Sequence, residues 1–377
     1  MTWRSLLRSG VRELPPPLER EHPELGQNLV RLDLNEGALQ PDAAELALFQ
    51  RELAKLDLNR YPEASGRALR ERLAQCWGVE PDEILLGNGS VETIGILMTA
   101  FGAPSATGPA TVIHPDPTYG QYDIMASGYG LRAVPVPLGA RFELDEARVA
   151  AAIERERPAL AFYPSPNSPT GNCFPHDSLL RLAKKLAGVF VVDEAYADFA
   201  GQSILPHVRS TPGLFVMRSL SKIGLAGLRV GALIGERDAI AELDKVRMPF
   251  NVNAVSLALA TSLLAQPQRM AARVEAIVRL RRALELDLRA LDGVETLPSQ
   301  ANFVLVRTPY PAHVVFDRLL ARGILVRVFA HAPRLERCLR ITAGTPLENA
   351  RCMSALRAVL AELRCTRSPM LAAAAPI

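Results

Sequence analysis

The sequence predicts an α/β fold, in which a large, mainly parallel β-sheet is covered by helices. Two observations support this prediction. First, five short runs are apolar at consecutive positions, as expected for strands that are buried on both faces. Second, amphipathic stretches separate these runs, which is the pattern of strand–helix–strand units. The runs are residues 111–113, 160–163, 189–192, 214–217 and 230–234.

The N-terminal part of the chain divides into an arm and the start of a large domain. Residues 1–40 are rich in proline and charge, and we expect them to form an arm that packs on a smaller domain. A helical pattern begins near Pro41, and the large domain is predicted to span residues 41–268. The apolar positions of this first helix are Leu46, Phe49, Leu53 and Leu56.

The C-terminal part of the chain is predicted to be a smaller α/β domain over residues 269–365. It opens with a long helix over residues 269–291, rich in Arg, Leu and Glu, and it closes with another helix. The tail at 366–377 ends in an alanine run and is predicted to be disordered. Between the two helices, we expect strands at 296–299, 302–306, 323–328 and 338–342 and a helix near Phe316–Arg322.

Composition excludes several classes of function. The formal net charge of +3 is too small to indicate a nucleic-acid or membrane-surface partner. The five cysteines include no CxxC pair and no metal-ligand spacing, so we predict reduced thiols, no metal site and a cytoplasmic protein. No apolar run approaches the length of a signal peptide or a membrane span.

Polar side chains follow three of the predicted strands at the point where each strand ends. Asn167 lies in a proline-rich loop, Asp193 and Tyr196 follow a buried run, and Lys222 follows another. Taken singly, each has an ordinary explanation: a helix cap for Asp193, turn chemistry for Asn167, an exposed position for Lys222. Ligands of an open parallel sheet bind at the carboxyl ends of its strands, however, so these groups are expected to converge there.

This combination matches the chemical needs of pyridoxal 5'-phosphate. A lysine amine can form a Schiff base with the cofactor aldehyde, and a carboxylate can keep the pyridine nitrogen protonated. The cofactor phosphate requires a helix N-terminus, hydroxyl groups and an arginine. The sequence offers these in the Ser90–Val91 helix start, in Ser219 and Ser221, and in Arg229.

The motifs that carry these residues resemble those of the fold-type I pyridoxal-phosphate aminotransferases, and most closely the histidinol-phosphate aminotransferases. The resemblance extends over about residues 31–360. In chain order the motifs are LDLNE (32–36), NRYP (59–62), GNGS (87–90), PTYGQY (117–122), PNSPTG (166–171), VVDEAY (191–196), SLSK (219–222), GLR (227–229), SQANF (299–303), GILVR (323–327) and LRIT (339–342).

The resemblance implies roles for the matching cofactor-binding residues. Lys222 would carry the Schiff base and then move the substrate proton, and Asp193 would pair with the pyridine nitrogen. Asn167 and Tyr196 would contact the phenolic oxygen of the ring. Tyr119 would stack on the ring, with Tyr122 as the alternative. The phosphate would be bound by Ser90, Val91, Ser219, Ser221 and Arg229.

The resemblance also implies substrate contacts and a homodimer. Arg340 would bind a substrate α-carboxylate, Arg327 a substrate phosphate, and Asn302 would lie in the substrate site. Tyr61 would reach the cofactor phosphate of the neighbouring subunit. The sequence departs from the family pattern at Val91, where many relatives have Asp, in a shorter Lys222–Arg229 loop, and at a proline run where an aromatic residue is common.

The implied reaction converts L-histidinol phosphate and 2-oxoglutarate into imidazole-acetol phosphate and L-glutamate by a ping-pong mechanism. An aminotransferase for aromatic amino acids and a phosphothreonine-type decarboxylase are alternatives on the same scaffold. A regulator that binds the cofactor without turnover is a further alternative, but the N-terminal arm has no helix-turn-helix pattern.

Overall fold

The computed structural model describes residues 6–14, 29–104, 108–329 and 332–372, with side chains described as far as residue 365. The proline run at 15–17 lies outside these residues. The strands are β1 (Val30–Arg31), β2 (Ile84–Asn88), β3 (Thr111–Asp116), β4 (Arg132–Pro137), β5 (Leu160–Pro164), β6 (Val189–Asp193), β7 (Leu214–Ser219), β8 (Val230–Ile234), β9 (Glu295–Thr296), β10 (Phe303–Arg307), β11 (Ile324–Leu325), β12 (Arg327–Val328) and β13 (Cys338–Thr342).

Helices connect and cover these strands. They are α1 (Ser9–Glu13), α2 (Ala43–Leu53), α3 (Arg67–Trp77), α4 (Ser90–Phe101), α5 (Gln121–Tyr129), α6 (Glu146–Glu156), α7 (His176–Lys185), α8 (Ala197–Ala200), α9 (Arg237–Asp244), α10 (Ala254–Leu264), α11 (Pro267–Arg289), α12 (Ala312–Leu320) and α13 (Pro346–Ala372). None of them, within the described ranges, combines the length and apolar character needed to cross a lipid bilayer.

The central sheet has seven strands in the order β2-β8-β7-β6-β5-β3-β4. All neighbours from β7 to β4 are parallel, whereas β8 is antiparallel to both β7 and β2. The five apolar runs of the sequence form β3, β5, β6, β7 and β8, so the predicted α/β class with a mainly parallel sheet is confirmed.

Both faces of this sheet are packed with apolar side chains. Tyr163 and Phe190 point into one core cluster, whereas Phe162 and Val191, their neighbours along the strands, point into the cluster on the opposite face. Successive strand residues alternate between the two faces, so every position of β5 and β6 is buried. The polar groups that follow these strands lie where the strands end, at one edge of the sheet.

The helix predicted from Pro41 is α2, but its buried face differs from the prediction. Leu46 and Leu53 are exposed and Phe49 is half-buried against the core, but the fully buried position is Glu45. Glu45 pairs with Arg273 of α11 at 2.5 Å, and both side chains are buried. The ion pair joins α2 to the long helix, which an apolar-periodicity pattern cannot reveal.

The C-terminal residues form a second sheet with its own core. Its strand order is β12-β13-β10-β9, all antiparallel, and α11, α12 and α13 supply apolar side chains to the same core. The long helix predicted at 269–291 is α11, and the helix predicted near residue 316 is α12. The backbone of α13 continues as a helix to Ala372, into the tail that was predicted to be disordered from residue 366.

The N-terminal arm has contacts with both sheets. β1 pairs in parallel with β11, and Leu32 belongs to the core of the smaller sheet. In contrast, Arg8, which precedes α1, donates to the Tyr129 carbonyl of α5 at 3.2 Å, on the larger sheet. The exact domain boundaries stay a prediction.

Candidate active site

The carboxyl ends of β5, β6 and β7 bring the predicted polar groups together. Register pairs Pro164 with Asp193 and Asp193 with Met217, so the three strands end side by side. The loops that follow them carry Asn167, Tyr196 and Lys222. The expected convergence at the sheet edge is therefore observed for this set of loops.

Asp193 is a buried carboxylate with two hydrogen-bond donors. The Tyr122 hydroxyl donates to its Oδ2 at 2.7 Å, and the Ala195 amide donates to its Oδ1 at 3.0 Å. Burial raises the pKa of Asp193, while the two hydrogen bonds and the Lys222 charge oppose that shift. The residue that caps α8 is Tyr196, so a helix cap does not explain Asp193. A buried carboxylate of this kind fits a cationic ring nitrogen.

Lys222 lies in a short 3-10 turn, Leu220–Ile223, directly after β7. Its Nζ donates to the Leu34 carbonyl at 3.2 Å and lies 5.8 Å from the centre of the Tyr196 ring. Its hydrogen-bond partner is a neutral carbonyl rather than a carboxylate. Among the described residues no carboxylate forms an ion pair with this amine, which suits a lysine that must bond to an aldehyde.

Asn35 holds Tyr196, a contact that nothing in the sequence indicates beyond the LDLNE motif. Its Nδ2 donates to the Tyr196 hydroxyl at 2.8 Å, and its Oδ1 accepts from the Thr342 hydroxyl at 3.1 Å. Because the Tyr196 oxygen is the acceptor in this bond, its own hydrogen is available to an acceptor in the cleft. This arrangement fits the predicted contact of Tyr196 with a phenolic oxygen.

Asn167 is fully buried and joins two loops. Its Oδ1 accepts from the Thr118 hydroxyl at 2.8 Å, and its Nδ2 donates to the Pro117 carbonyl at 3.0 Å and the Thr170 hydroxyl at 2.8 Å. Both amide hydrogens are therefore engaged. The predicted contact with the phenolic oxygen requires one of them to change partner.

The predicted phosphate-binding residues form a narrow cradle at the start of α4, where Ser90 and Val91 are the first two residues. A Cβ on Gly89 would lie 2.5 Å from Arg229 Nη2, and a Cβ on Gly231 would lie 2.3 Å from the Ser90 amide. Only glycine permits this close approach, and the φ of +80° at Gly89 adds a second reason. The helix N-terminus and the guanidinium together form an anion site.

Two serines complete this cradle from the Lys222 side. The Ser219 hydroxyl accepts from the Ser221 amide at 3.2 Å, and Arg229 Nη1 donates to the Ser221 hydroxyl at 3.4 Å. Arg229 has a φ of +54°, so the shortened loop ends in a left-handed residue that turns its side chain back toward Ser221. The predicted phosphate residues on the two loops are thus adjacent, and they fit a phosphate group.

Tyr119 and Tyr122 have different positions. Tyr119 is 37% exposed, and its ring meets the Tyr122 ring edge-on at 5.7 Å. Tyr122 is fully buried, stacks on Phe162 at 5.0 Å and is bonded to Asp193, so it cannot also stack on a cofactor in the cleft. Of the two candidates for ring stacking, the accessible one is Tyr119. The bond from Tyr122 to Asp193 was not anticipated.

The two predicted substrate arginines lie opposite each other in the smaller sheet. Register pairs Arg327 of β12 with Arg340 of β13. The Arg340 guanidinium donates to the Ser168 hydroxyl at 2.9 Å and lies over the Phe303 and Phe329 rings, at 5.3 and 5.8 Å. Arg327 lies 6.0 Å from the centre of the same Phe329 ring. Arg340 thus joins the small sheet to the PNSPTG loop.

Asn302 and Tyr61, the last two predicted site residues, lie in different environments, one buried and one exposed. Asn302 is fully buried and donates through Nδ2 to the Asn35 carbonyl at 2.9 Å and the Lys222 carbonyl at 3.5 Å, so it ties the arm to the lysine loop. Tyr61 is 81% exposed and stacks on Phe250 at 4.6 Å. It lines a cavity of about 680 Å³ between α2, α3 and α10, and neither Lys222 nor Asp193 is part of that lining.

Comparisons with known proteins agree with this geometry. Residues 24–356 match the model of the class I and II aminotransferases. The chain is 38% identical to histidinol-phosphate aminotransferase of Aquifex aeolicus (strain VF5) over 342 residues, which is 90% of this chain and 95% of that one. It is 41% identical to the protein of the same name from Methylibium petroleiphilum over 337 residues, 88% and 89% of the two chains.

A solved structure extends the agreement to the fold. The crystal structure of histidinol-phosphate aminotransferase from Sinorhizobium meliloti, in complex with pyridoxal-5'-phosphate, superimposes with a TM-score of 0.86 at 26% identity. The match covers 95% of this chain and 98% of that one. The family, the fold-type I architecture and the pyridoxal-phosphate cofactor predicted from the motifs are thereby confirmed.

Proposed function

This chain belongs to the class I and II aminotransferases, which use pyridoxal 5'-phosphate, and we propose that it transfers the amino group of L-histidinol phosphate to 2-oxoglutarate. The products are imidazole-acetol phosphate and L-glutamate, so the enzyme acts in histidine biosynthesis. The names of its relatives support this assignment. The structural observation that carries it is the Arg327–Arg340 pair, which offers two cations to one substrate.

The cofactor, when bound, supplies an aldehyde that captures amines and a ring that withdraws electrons from the bound substrate. The chain supplies the rest. The Gly89–Ser90 helix start and Arg229 hold the phosphate, Asp193 holds the proton of the ring nitrogen, and Tyr196 donates to the phenolic oxygen. Lys222 would remove the proton from the amine-bearing carbon of the substrate, as a general base, and would then deliver it, as a general acid, to the carbon of the cofactor aldehyde.

Both substrates use the same arginines in turn. Glutamate and 2-oxoglutarate have two carboxylates, and Arg340 binds the one next to the reacting carbon through a bidentate pair. L-Histidinol phosphate has no α-carboxylate, and its phosphate is bound mainly by Arg327. Because the two arginines face each other across β12 and β13, one site can accept a dicarboxylate and then a phosphorylated amine. Asn302 donates to the Asn35 and Lys222 carbonyls and so holds the arm and the Lys222 loop together at that site.

We further propose that the active form is a homodimer in which Tyr61 reaches the phosphate cradle of the neighbouring subunit. Tyr61 is 81% exposed, and Leu58 and Met248 are similarly exposed at 73% and 69%. Exposed apolar side chains of this kind are typical of a surface that another chain covers, and Tyr61 also lines the 680 Å³ cavity. We also propose a cytoplasmic location, because all five cysteines are free thiols.

A panel of amino donors tests the proposed substrate. The holoenzyme is mixed with L-histidinol phosphate, phenylalanine, tyrosine or phosphothreonine, without any keto acid, and the absorbance of the bound cofactor is followed. We expect L-histidinol phosphate to convert the cofactor to its amino form fastest. Faster conversion by phenylalanine or tyrosine would assign the enzyme to aromatic amino acids instead, and release of carbon dioxide from phosphothreonine would identify a decarboxylase. No conversion by any donor would support a regulator without turnover.

A further inference from the structure

We propose that Tyr122 is a positioning residue of the cofactor site, whose hydroxyl fixes the Asp193 carboxylate in the orientation and charge state that keep the ring nitrogen protonated. This proposal rests on the cofactor and on the role of Asp193 in the proposed function. It does not depend on which amine is the physiological donor. Tyr122 is assigned no such role by the motif resemblance, in which it was only an alternative for ring stacking.

The contact is short and isolated from water. The Tyr122 hydroxyl donates to Asp193 Oδ2 at 2.7 Å, and Tyr122 is fully buried. Burial and the adjacent carboxylate raise the pKa of Tyr122 well above its usual value, so its hydroxyl keeps the hydrogen that it donates. The Ala195 amide occupies the other carboxylate oxygen at 3.0 Å. One donor on each oxygen defines the plane of the carboxylate.

The Tyr122 ring itself cannot easily move. It stacks on Phe162 of β5 at 5.0 Å with an interplanar angle of 13°, and Tyr119 meets its edge at 5.7 Å. The next residue in α5, Asp123, is joined to the buried His114 of β3 at 3.0 Å. The first turn of α5 is therefore attached to the sheet at two adjacent positions. Such rigid support is what a precise second contact to a functional carboxylate requires.

The charge state of Asp193 depends on these donors. Burial favours the neutral carboxylic acid, and hydrogen bonds to the charged form oppose this tendency. If the Tyr122 hydrogen bond is removed, the carboxylate becomes a stronger base and competes better for the proton shared with the ring nitrogen. The ring then withdraws electrons less strongly, and removal of the substrate proton becomes slower.

Tyr122→Phe tests this proposal, because phenylalanine keeps the ring packing and removes only the hydroxyl. The holoenzyme is loaded with pyridoxal phosphate labelled with ¹⁵N in the ring, and the ¹⁵N chemical shift reports the proton on that nitrogen. We expect the signal of Tyr122→Phe to move toward the unprotonated value. We also expect the rate of cofactor conversion by L-glutamate at saturation to fall by about tenfold, the effect of one lost hydrogen bond to a charged group, with little change in the half-saturating concentration.

Tyr163→Phe is a matched control. Tyr163 is also fully buried, lies on β5 next to Phe162, and its hydroxyl has no hydrogen-bond partner among the described residues. We expect this variant to have the wild-type ¹⁵N shift and rate. An unchanged ¹⁵N shift in Tyr122→Phe would overturn the proposal, whether or not the rate falls. If the wild-type chain did not bind the cofactor at all, the proposed function would fail instead.

A double-mutant cycle separates action through Asp193 from a general loss of structure. In an Asp193→Asn background the carboxylate is absent, so adding Tyr122→Phe is expected to change neither the ¹⁵N shift nor the remaining rate. A further fall in rate in that background, as large as in the wild type, would show that Tyr122 acts by another route, and the proposal would be wrong.

Discussion

Arg327 is the residue that best separates the proposed substrate from its competitors. Arg327→Ala should raise the KM for L-histidinol phosphate by about tenfold or more, since a charged hydrogen-bonding partner of the phosphate is lost. The KM for glutamate should rise far less, because Arg340 still binds its α-carboxylate. Steady-state kinetics with each substrate varied in turn measure both values.

Arg307→Ala is a suitable control for this variant. Arg307 lies at the end of β10 in the same sheet, opposite Cys338, and its guanidinium pairs with Glu295 at 2.6 Å. Its removal should leave both KM values near those of the wild type. Equal increases for both substrates in Arg327→Ala would count against a phosphate-binding role.

Residues that follow a buried strand could be predicted from sequence, whereas residues that act through long-range contacts could not. Asp193 and Lys222 stand directly after apolar runs, so their position at the sheet edge follows from the strand pattern alone. Tyr122 meets Asp193 across 71 residues, and Asn35 meets Tyr196 across 161. Neither contact produces a pattern in the local sequence, because each depends on how elements that are distant along the chain pack together.

At the scale of elements, the buried Glu45–Arg273 pair joins α2 to α11 and supports the arm beside the active site. Arg273 also donates to the Leu39 carbonyl at 2.9 Å. Arg273→Ala would leave Glu45 buried without its partner, which should lower the free energy of unfolding by about 3 kcal/mol. The midpoint of urea unfolding, at fixed protein and cofactor concentrations, measures the change.

Arg282→Ala controls for the loss of an arginine from the same helix. Arg282 is an exposed residue of α11, so its removal should shift the midpoint only slightly. If both variants shifted the midpoint equally, the buried pair would have no special structural role.

Strands buried on both faces were predicted well, whereas the edge strand β4 of the larger sheet was not predicted. β5 and β6 are apolar at nearly every position, a pattern typical of strands that are buried on both faces. β4 lies at the edge of the sheet, and its exposed Arg132, Pro135 and Pro137 conceal the strand pattern. The buried face of α2 was misjudged because a charged residue, Glu45, occupies it.

At the scale of the whole molecule, the proposed dimer predicts complementation between two inactive variants. Tyr61→Ala should bind the cofactor weakly, and Lys222→Ala should lack turnover. In a mixed dimer, one site receives Lys222 from one chain and Tyr61 from the other. Random exchange should therefore restore roughly a quarter of wild-type activity, since half of the dimers are mixed and each has one complete site. Activity is measured after the two variants are refolded together.

The same mixture can contradict the shared site. If Tyr61 served the site of its own chain, no mixed dimer would contain a complete site, and the mixture would stay inactive. The sequence could suggest such sharing only through the resemblance of its NRYP motif, because a single chain carries no pattern for what lies across an interface. In the structure, the high exposure of the Tyr61 side chain is what the proposed contact with a neighbouring subunit requires.

Transfer of the amino group from L-histidinol phosphate to 2-oxoglutarate is tested most directly by labelling its nitrogen. L-Histidinol phosphate labelled with ¹⁵N in its amine is incubated with 2-oxoglutarate and the holoenzyme, and the products are analysed by mass spectrometry. We expect ¹⁵N-glutamate and imidazole-acetol phosphate in equal amounts, and neither product with Lys222→Ala. Unlabelled glutamate, or label that stays in L-histidinol phosphate while an aromatic amino acid reacts readily, would contradict it.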